Sequence, residues 1–547
     1  MKQLQLLSSL ILSVFLLSCN TKQKADLLVY NAHIYTVDSS FGKAEAMAMK
    51  DGRIIATGKT DSLLQLFEAT EKLDAQGKFI YPGFIDAHCH FLAYGRGRQE
   101  CDLTGTTSWE DVQHHLSDFA KSMDTTKWLI GRGWDQNDWA IKQFPTNEWL
   151  NKRFPNQPVI LTRVDGHAAI ANKKALELAG VVAGQTLTGG EVVVANGQLT
   201  GLLIDNATSL VEQKIPASTN EDLTQYLQTA EKDCFATGLT SVQDCGLDAK
   251  HVELVEQLYK TGKLTMRMYI MLSDDKANYE WLFAKGKIQT DQLTVNGFKL
   301  YADGALGSRG ACLLQPYSDV AGHYGFLLRT KAYYDSIIPI IAAKGFQACT
   351  HAIGDSANRT ILNIYTKALQ GKPGLRWRIE HAQVINQNDF SLFGASQIIP
   401  SVQPTHATSD MYWAGDRLGA ERLKGAYAYK QLLQQNGWIP LGTDFPVEDI
   451  SPFKTFLAAV VRKDAKGFPD KGFQTENALT REEAIRGMTI WAAKAAFEEQ
   501  LKGSLEAGKL ADFIILDKDL MTCDEKEILS TKVLKTFVGG KKVFGGE

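Results

Sequence analysis

No block of basic residues interleaved with aromatics occurs anywhere in the 547 residues, and 59 Lys plus Arg face 62 Asp plus Glu, for a formal net charge of −3. That balance offers nucleic acid no electrostatic footprint. Cysteine is scarce as well. There are eight, none in a Cys-x-x-Cys pair and none in the dense spacing of a disulfide framework, which excludes a stapled secreted scaffold. Cys89, Cys234, Cys245 and Cys349 stand in apolar surroundings and read as small buried hydrophobes. The apolar stretch from Leu4 to Ser18 is too short to span a bilayer. Behind the weakly positive Met1-Lys2-Gln3 it reads instead as an export signal. It closes on Leu16-Leu17-Ser18-Cys19-Asn20, which resembles the lipobox of bacterial lipoproteins and implies cleavage before a lipid-modified Cys19. The chain is then expected to be exported and anchored to a membrane by that lipid.

What is present is a large hydrophobic complement, 44% of residues, enough for roughly three or four domains or for one large barrel with appendages. Residues 27 to 58 alternate like strands, and Asp51-Gly52 between apolar runs is a hairpin signal. The same texture returns at 511–516 and at 533–544, where Gly539-Gly540 separates two strand-like runs. Two β-rich ends around a different middle predict one small β-sandwich domain built from both termini, residues 20–80 and 501–547, after a signal over 1–19. The middle, 81–500, alternates strand-like runs with helical patterns. The strand candidates 84–90, 240–246, 267–272, 296–303, 346–351, 375–381, 396–403 and 437–444 number eight, and a last helix opens at Thr480 with Glu483 completing a capping box. Eight predict an α/β fold of the (β/α)8 TIM-like barrel type. The gap of about 91–239 is too long for one crossover and must hold an insertion above the strand ends.

Catalytic groups in such a barrel come from the C-terminal ends of several strands. In Pro82-Gly83-Phe84-Ile85-Asp86-Ala87-His88-Cys89-His90, strand alternation sends His88 and His90 to one side, and two neutral imidazoles on one point suit a metal ion. Other strand ends bring Lys299, His351, His381 and Asp444. Lys299 alternates with Phe298 and Leu300 and therefore points inward with Tyr301 and Asp303. There it is either paired with Asp303 or Asp444, or converted by carbon dioxide to a carbamate that can bridge two metals. Trp134 and Asp135, read as a flexible loop after Gly131 and Gly133, are candidates to touch substrate, as are His167 at the end of a strand-like run, Asp303, and His406 past the seventh strand. Core and turn roles fit Trp134, Asp135 and His167 equally well. His114-His115 falls in an amphipathic helix opened by Ser108 and reads as solvated surface.

These motifs, with the tail from Gly503 to Phe513, resemble the amidohydrolase superfamily over nearly everything after residue 25. Gly133-Trp134-Asp135, Asp165-Gly166-His167, Lys299 to Ser308 and Arg378 to Gln383 resemble the amidohydrolase-3 branch that includes N-substituted formamide deformylases. The resemblance implies that His88, His90 and Asp444 hold one divalent metal and His351 and His381 a second, with carboxylated Lys299 between them. Zinc is expected first, with manganese, iron and cobalt compatible. It implies hydrolysis of a carbon–nitrogen bond in a small amide-like substrate, with Asp444 as acid and base. A one-metal ring deaminase is the alternative within the fold. There a glutamate is expected close after the fifth-strand histidine, where this chain has Ala352-Ile353-Gly354-Asp355. A lipid-anchored binding protein without catalysis is the alternative outside it, disfavoured because so many metal-competent groups cost stability without a metal. Homo-oligomerisation is left open.

Overall fold

The computed structural model describes residues 22–370 and 374–546, so Cys19 and the signal that precedes it lie outside the described residues. At the centre are seven parallel strands: β1 (Phe84–Cys89), β2 (Leu239–Leu247), β3 (Arg267–Ser273), β4 (Leu293–Tyr301), β5 (Gln347–Ala352), β6 (Arg378–His381) and β7 (Ile399–Ser401), paired in that order. Helices such as Asn220–Ala236, Ala249–Lys260, Lys331–Lys344 and Asp355–Ala368 connect them. The strand expected over 437–444 is not a regular strand. Gly437 ends the helix Tyr429–Asn436 in the left-handed conformation, and Pro440 has no N–H to give to a ladder. The segment nonetheless closes the barrel. Gly442 N–H donates to Val402 O (3.0 Å) on one side, Ala87 N–H to Leu441 O (3.1 Å) and Asp444 N–H to His88 O (2.7 Å) on the other. Gly442 is dictated by that closure, because a Cβ there would lie 2.5 Å from the His88 nitrogen.

Alternation along each strand sorts the side chains. Phe298 of β4 packs outward, its ring 4.5 Å from that of Tyr279, while Lys299 points into the barrel. Below the strand ends the interior is a mixed layer of Cys245, Tyr269, Met271 and Cys349, with the Tyr269 hydroxyl donating to Gln347 Oε1 at 2.6 Å. The capping box at Thr480 opens the helix Arg481–Gly487, and Ile490–Ala495 follows. Its carbonyls at Ala492 and Ala495 accept from the Gln243 and Gln347 amides and seal the barrel floor.

The chain between β1 and β2 forms a seven-stranded sheet ordered Thr186–Leu187, Gly190–Ala195, Gln198–Asp205, Ala168–Ala171, Val159–Arg163, Leu129–Trp134 and Cys101–Asp102, with its own apolar core. His114 and His115 are exposed on the helix Trp109–Ala120, whose N-cap is Ser108. All seven described cysteines are free, and Cys89, Cys234, Cys245 and Cys349 are buried. No described helix is long and apolar enough to cross a membrane.

Both ends of the chain meet in a six-stranded sheet, where Phe513–Leu516 pairs antiparallel with Phe79–Pro82 and with Val533–Val538. A four-stranded sheet, Arg53–Gly58, Ala46–Lys50, Gln23–Tyr30 and Phe67–Asp74, shares an apolar cluster with it through Leu27, Val29, Met47, Ile80, Phe513 and Phe537. Phe513 is fully buried and stacks on Phe537 at 4.3 Å. Phe513→Ala is therefore expected to cost about 3–5 kcal/mol of stability, read from the urea midpoint, and an unchanged midpoint would show that this seam does not hold the ends together.

Candidate metal centre

Asp86, His88 and the segment 442–444 build one edge of the centre. The Asp86 carboxylate accepts from His88 N (3.0 Å), Thr443 N (3.1 Å) and Thr443 Oγ1 (2.6 Å), which locks the last segment onto β1. Burial pushes the Asp86 carboxyl up to about 7 against those bonds. His88 is wholly buried, and its Nδ1 lies 2.5 Å from Glu380 Oε2. Glu380 in turn pairs with Arg378, Nε to Oε1 at 2.7 Å. The same guanidinium donates to Ala87 O (2.6 Å), Ser401 Oγ (2.8 Å) and Gln243. His88 is thereby held with Nε2 toward the other candidate ligands, 3.4 Å from Lys299 Nζ and 3.5 Å from Asp444 Oδ1.

His381 and Asp444 reach the same point by a backbone device. In β6, Arg378 and Glu380 face inward and His381 should face out, but φ values of 72° at His381 and 42° at Ala382 turn the chain. Asp444 has φ 65°. Left-handed backbone at non-glycine residues costs on the order of 1–3 kcal/mol each and concentrates at functional sites. Gln403 fixes the turned ring, its Oε1 2.8 Å from His381 Nδ1. The His381 ring centroid lies 4.8 Å from that of His88 and 4.5 Å from that of His351.

The donor atoms converge without satisfying one another. Asp444 Oδ1 is 3.2 Å from His90 Nε2 yet has no hydrogen-bond partner, and the buried Nε2 atoms of His351 and His406 have none either. One donor atom each from His88, His381 and Asp444 lies within 4.8 Å of the others. Burial drives the His88, His351 and His381 imidazoles well below the usual histidine value. Burial acts to raise the Asp444 carboxyl, but the polar contacts of the surrounding imidazoles, His90 Nε2 nearest at 3.2 Å, outweigh it and hold it below the usual carboxylate range. Neutral imidazoles around an ionised carboxylate are the state a divalent cation requires, and the nitrogen-and-oxygen donor set suits zinc. Lys299 is fully buried, its Nζ 4.6 Å above the Tyr301 ring, and forms no ion pair among the described residues. The alternative pairing with Asp303 or Asp444 is thus not made.

His90, Lys299, His351, His381 and Asp444 line a cavity of about 960 Å³ together with His167, Asp135 and His406, while His88 is wholly buried and does not reach its surface. His406 Nε2 stands 3.6 Å from Asp444 Oδ2. Asp135 pairs with Arg163, which also pairs with Asp165, and caps a short 3-10 turn through Asn137 N at 2.8 Å. His167 is placed by Asp205, Nδ1 to Oδ1 at 2.6 Å, and its ring centroid is 5.0 Å from that of His351. Asp205 docks against Gly304 and Gly310, where added Cβ atoms would come within 2.4 and 2.2 Å of its carboxylate oxygens. The glycines of the segment after β4 therefore let the insertion seat its His–Asp pair on the barrel.

Two candidates stand elsewhere. Trp134 ends a strand rather than a loop, is fully buried in the core of the insertion and donates its indole N–H to Leu161 O (2.9 Å). Asp303 is spent on backbone, accepting from Cys312, Ile353 and Gly354 at 2.8–2.9 Å, and does not line the cavity. The residues that sequence reading passed over are mostly supports. Glu380 and Arg378 carried a signal, two charges at inward-facing positions immediately before a candidate ligand. Gln403 and Asp205 carried none, because their partners lie far away in the chain.

Residues 71–544 match the amidohydrolase family, and the chain belongs to it. The protein is a hydrolytic enzyme of that family with a TIM-like barrel and a metal-competent centre. It is 32% identical over 538 residues to the protein LONG AFTER FAR-RED 3 of Arabidopsis thaliana, covering 95% of this chain and 92% of that one. It is 26% identical over 542 residues to the N-substituted formamide deformylase of Arthrobacter pascens, covering 95% and 98%. The crystal structure of an uncharacterized metal-dependent hydrolase from Pyrococcus horikoshii OT3 superimposes with a TM-score of 0.74 at 28% identity, over 91% of this chain and 99% of that one.

The ion pair beneath His88 is the most exposed to test. Arg378→Met leaves Glu380 charged and uncompensated in the interior, and a loss of about 3–5 kcal/mol in unfolding free energy is expected. A change below the error of the denaturant titration would contradict the pairing.

Proposed function

We propose that this protein hydrolyses a carbon–nitrogen bond in a small amide-like substrate at the cavity floor. One observation carries the reading. Among the described residues, buried ligand atoms of His351 and Asp444 find no hydrogen-bond partner, beside a buried Lys299 that pairs with no carboxylate. His88, His90 and Asp444 would hold one divalent ion, zinc first, and His351 and His381 a second. Lys299 as a carbamate would bridge them, which explains an amine buried without a counter-charge. A divalent ion in such a site lowers the pKa of water from about 16 toward 7 and polarises a carbonyl.

The chain's own residues do the rest. Asp444 stays ionised, takes a proton from the attacking water and returns it to the departing nitrogen. Glu380 and Gln403 keep His88 and His381 in the tautomers that face the other candidate ligands. The cavity, walled in part by the insertion, is large enough to admit a small molecule. The likeness to a formamide deformylase supports an amide bond as the target. Export and lipid attachment at Cys19 belong to the same proposal and rest on the sequence alone.

The test is metal content per chain by elemental analysis, on protein beginning at Asn20 and purified without chelator in bicarbonate buffer, followed by amine release from a panel of simple amides. Two metals per chain, falling to one or fewer in Lys299→Ala, are expected. One metal in both proteins would remove the carbamate and favour a mononuclear hydrolase or deaminase. Asp444→Asn is expected to lower kcat by about 10²–10⁴-fold while the protein stays folded by circular dichroism, and a near-normal kcat would displace it from the proton-transfer role.

A further inference from the structure

The wall of the cavity contributed by the insertion carries a guanidinium with no ion-pair partner among the described residues. Arg132 lies on the strand Leu129–Trp134 and lines the cavity, and among the described residues its side chain makes a single hydrogen bond, from Nη2 to Val164 O at 3.2 Å. Its Nε is buried without a partner, and among the described residues no carboxylate comes within ion-pair range of it. The acids that face it from neighbouring elements are Glu100, Asp165, Asp444 and Glu212. Glu100 is taken by Arg96 at 2.8 Å, Asp165 by Arg163, and Asp444 belongs to the metal centre, while Glu212, exposed at the cavity wall, stands beyond ion-pair range of the guanidinium. Burial alone drags the Arg132 guanidinium below its usual value.

Gly166 keeps the guanidinium accessible. It occupies a left-handed turn, φ 75°, immediately before His167, and even a Cβ there would stand 3.6 and 3.8 Å from Arg132 Nη2 and Nη1. The guanidinium is thus set beside His167, in the cavity that also holds His351 and Asp444. A half-buried guanidinium with a buried, unpartnered Nε and most of its five donors unused is open to an anion that reaches it from the cavity.

We propose that Arg132 is the anchor for a carboxylate carried by the substrate itself, so that the enzyme acts on amides bearing a carboxylate close to the scissile bond. This rests on the amide-hydrolase reading above. A planar carboxylate matches the fork of one guanidinium, and its single charge meets less repulsion from Glu212 and Asp444 than a doubly charged phosphate would.

The experiment uses the metal-loaded enzyme and three probes: an N-acetyl amino acid, its methyl ester and a neutral N-substituted formamide. Wild type is expected to favour the acid over the ester in kcat/KM. Arg132→Met is expected to cut that acid-to-ester ratio by about tenfold to a hundredfold, mainly through KM, with metal content per chain unchanged. Arg132→Lys keeps a cation and loses the fork, and is expected to lower the ratio less, which covers the case in which the Met variant misfolds. Equal rates for acid and ester in wild type, or variants that slow all probes alike, would overturn the anchor. Hydrolysis of the formamide with neither amino-acid derivative touched would also overturn it and leave the amide hydrolase standing. Hydrolysis of none by metal-loaded protein would overturn both.

Discussion

The buried ion pair between Arg378 and Glu380 is the constraint on which barrel and site both depend. Removing two charges from water is costly, and such a pair stabilises a fold only when its remaining hydrogen-bonding capacity is used. Here it is used on four strands. Glu380 lies in β6 with Arg378, whose guanidinium also reaches Ala87 in β1, Gln243 in β2 and Ser401 in β7. The carboxylate then turns outward to His88. A single charged group thus draws the strands together and sets the direction of a ligand nitrogen, so disturbing the core below also disturbs the centre above.

Around that axis the centre is assembled from strained or stranded parts. His381 and Asp444 hold left-handed backbone, and Asp444 Oδ1 and His351 Nε2 are buried without hydrogen-bond partners among the described residues. These are costs, and the surrounding barrel must carry them. They make physical sense together if a cation binds where the donors converge. The insertion adds a second layer by placing His167 through Asp205, while Gly304 and Gly310 on the barrel leave the room that this docking needs.

Much of this was legible in the sequence because strands impose a period of two and barrels put chemistry at strand ends. His88, Lys299 and His351 follow that rule directly, and Phe298 confirms it by facing the helices. His381 lies at the cavity although the period alone would turn it away, since a positive φ reverses its direction. The last segment kept its place but not its regularity, because Gly437 and Pro440 interrupt it. Trp134 and Asp303 were misplaced for a common reason. A large aromatic or an acid next to a motif reads the same whether it faces a cavity or satisfies a core, and only tertiary contacts separate the two. Arg132 was invisible for the opposite reason, since what distinguishes it is the partner it lacks.

The central claim is that the Arg378–Glu380 pair orients His88 for a metal, and the most direct measurement is the affinity of metal-free protein for zinc, by competition with a chromogenic chelator, in wild type and Glu380→Gln. The account predicts binding about 10–100-fold weaker in the variant, with the far-ultraviolet circular dichroism unchanged. Equal affinity in the two proteins would contradict it and reduce the buried pair to a structural element of the barrel.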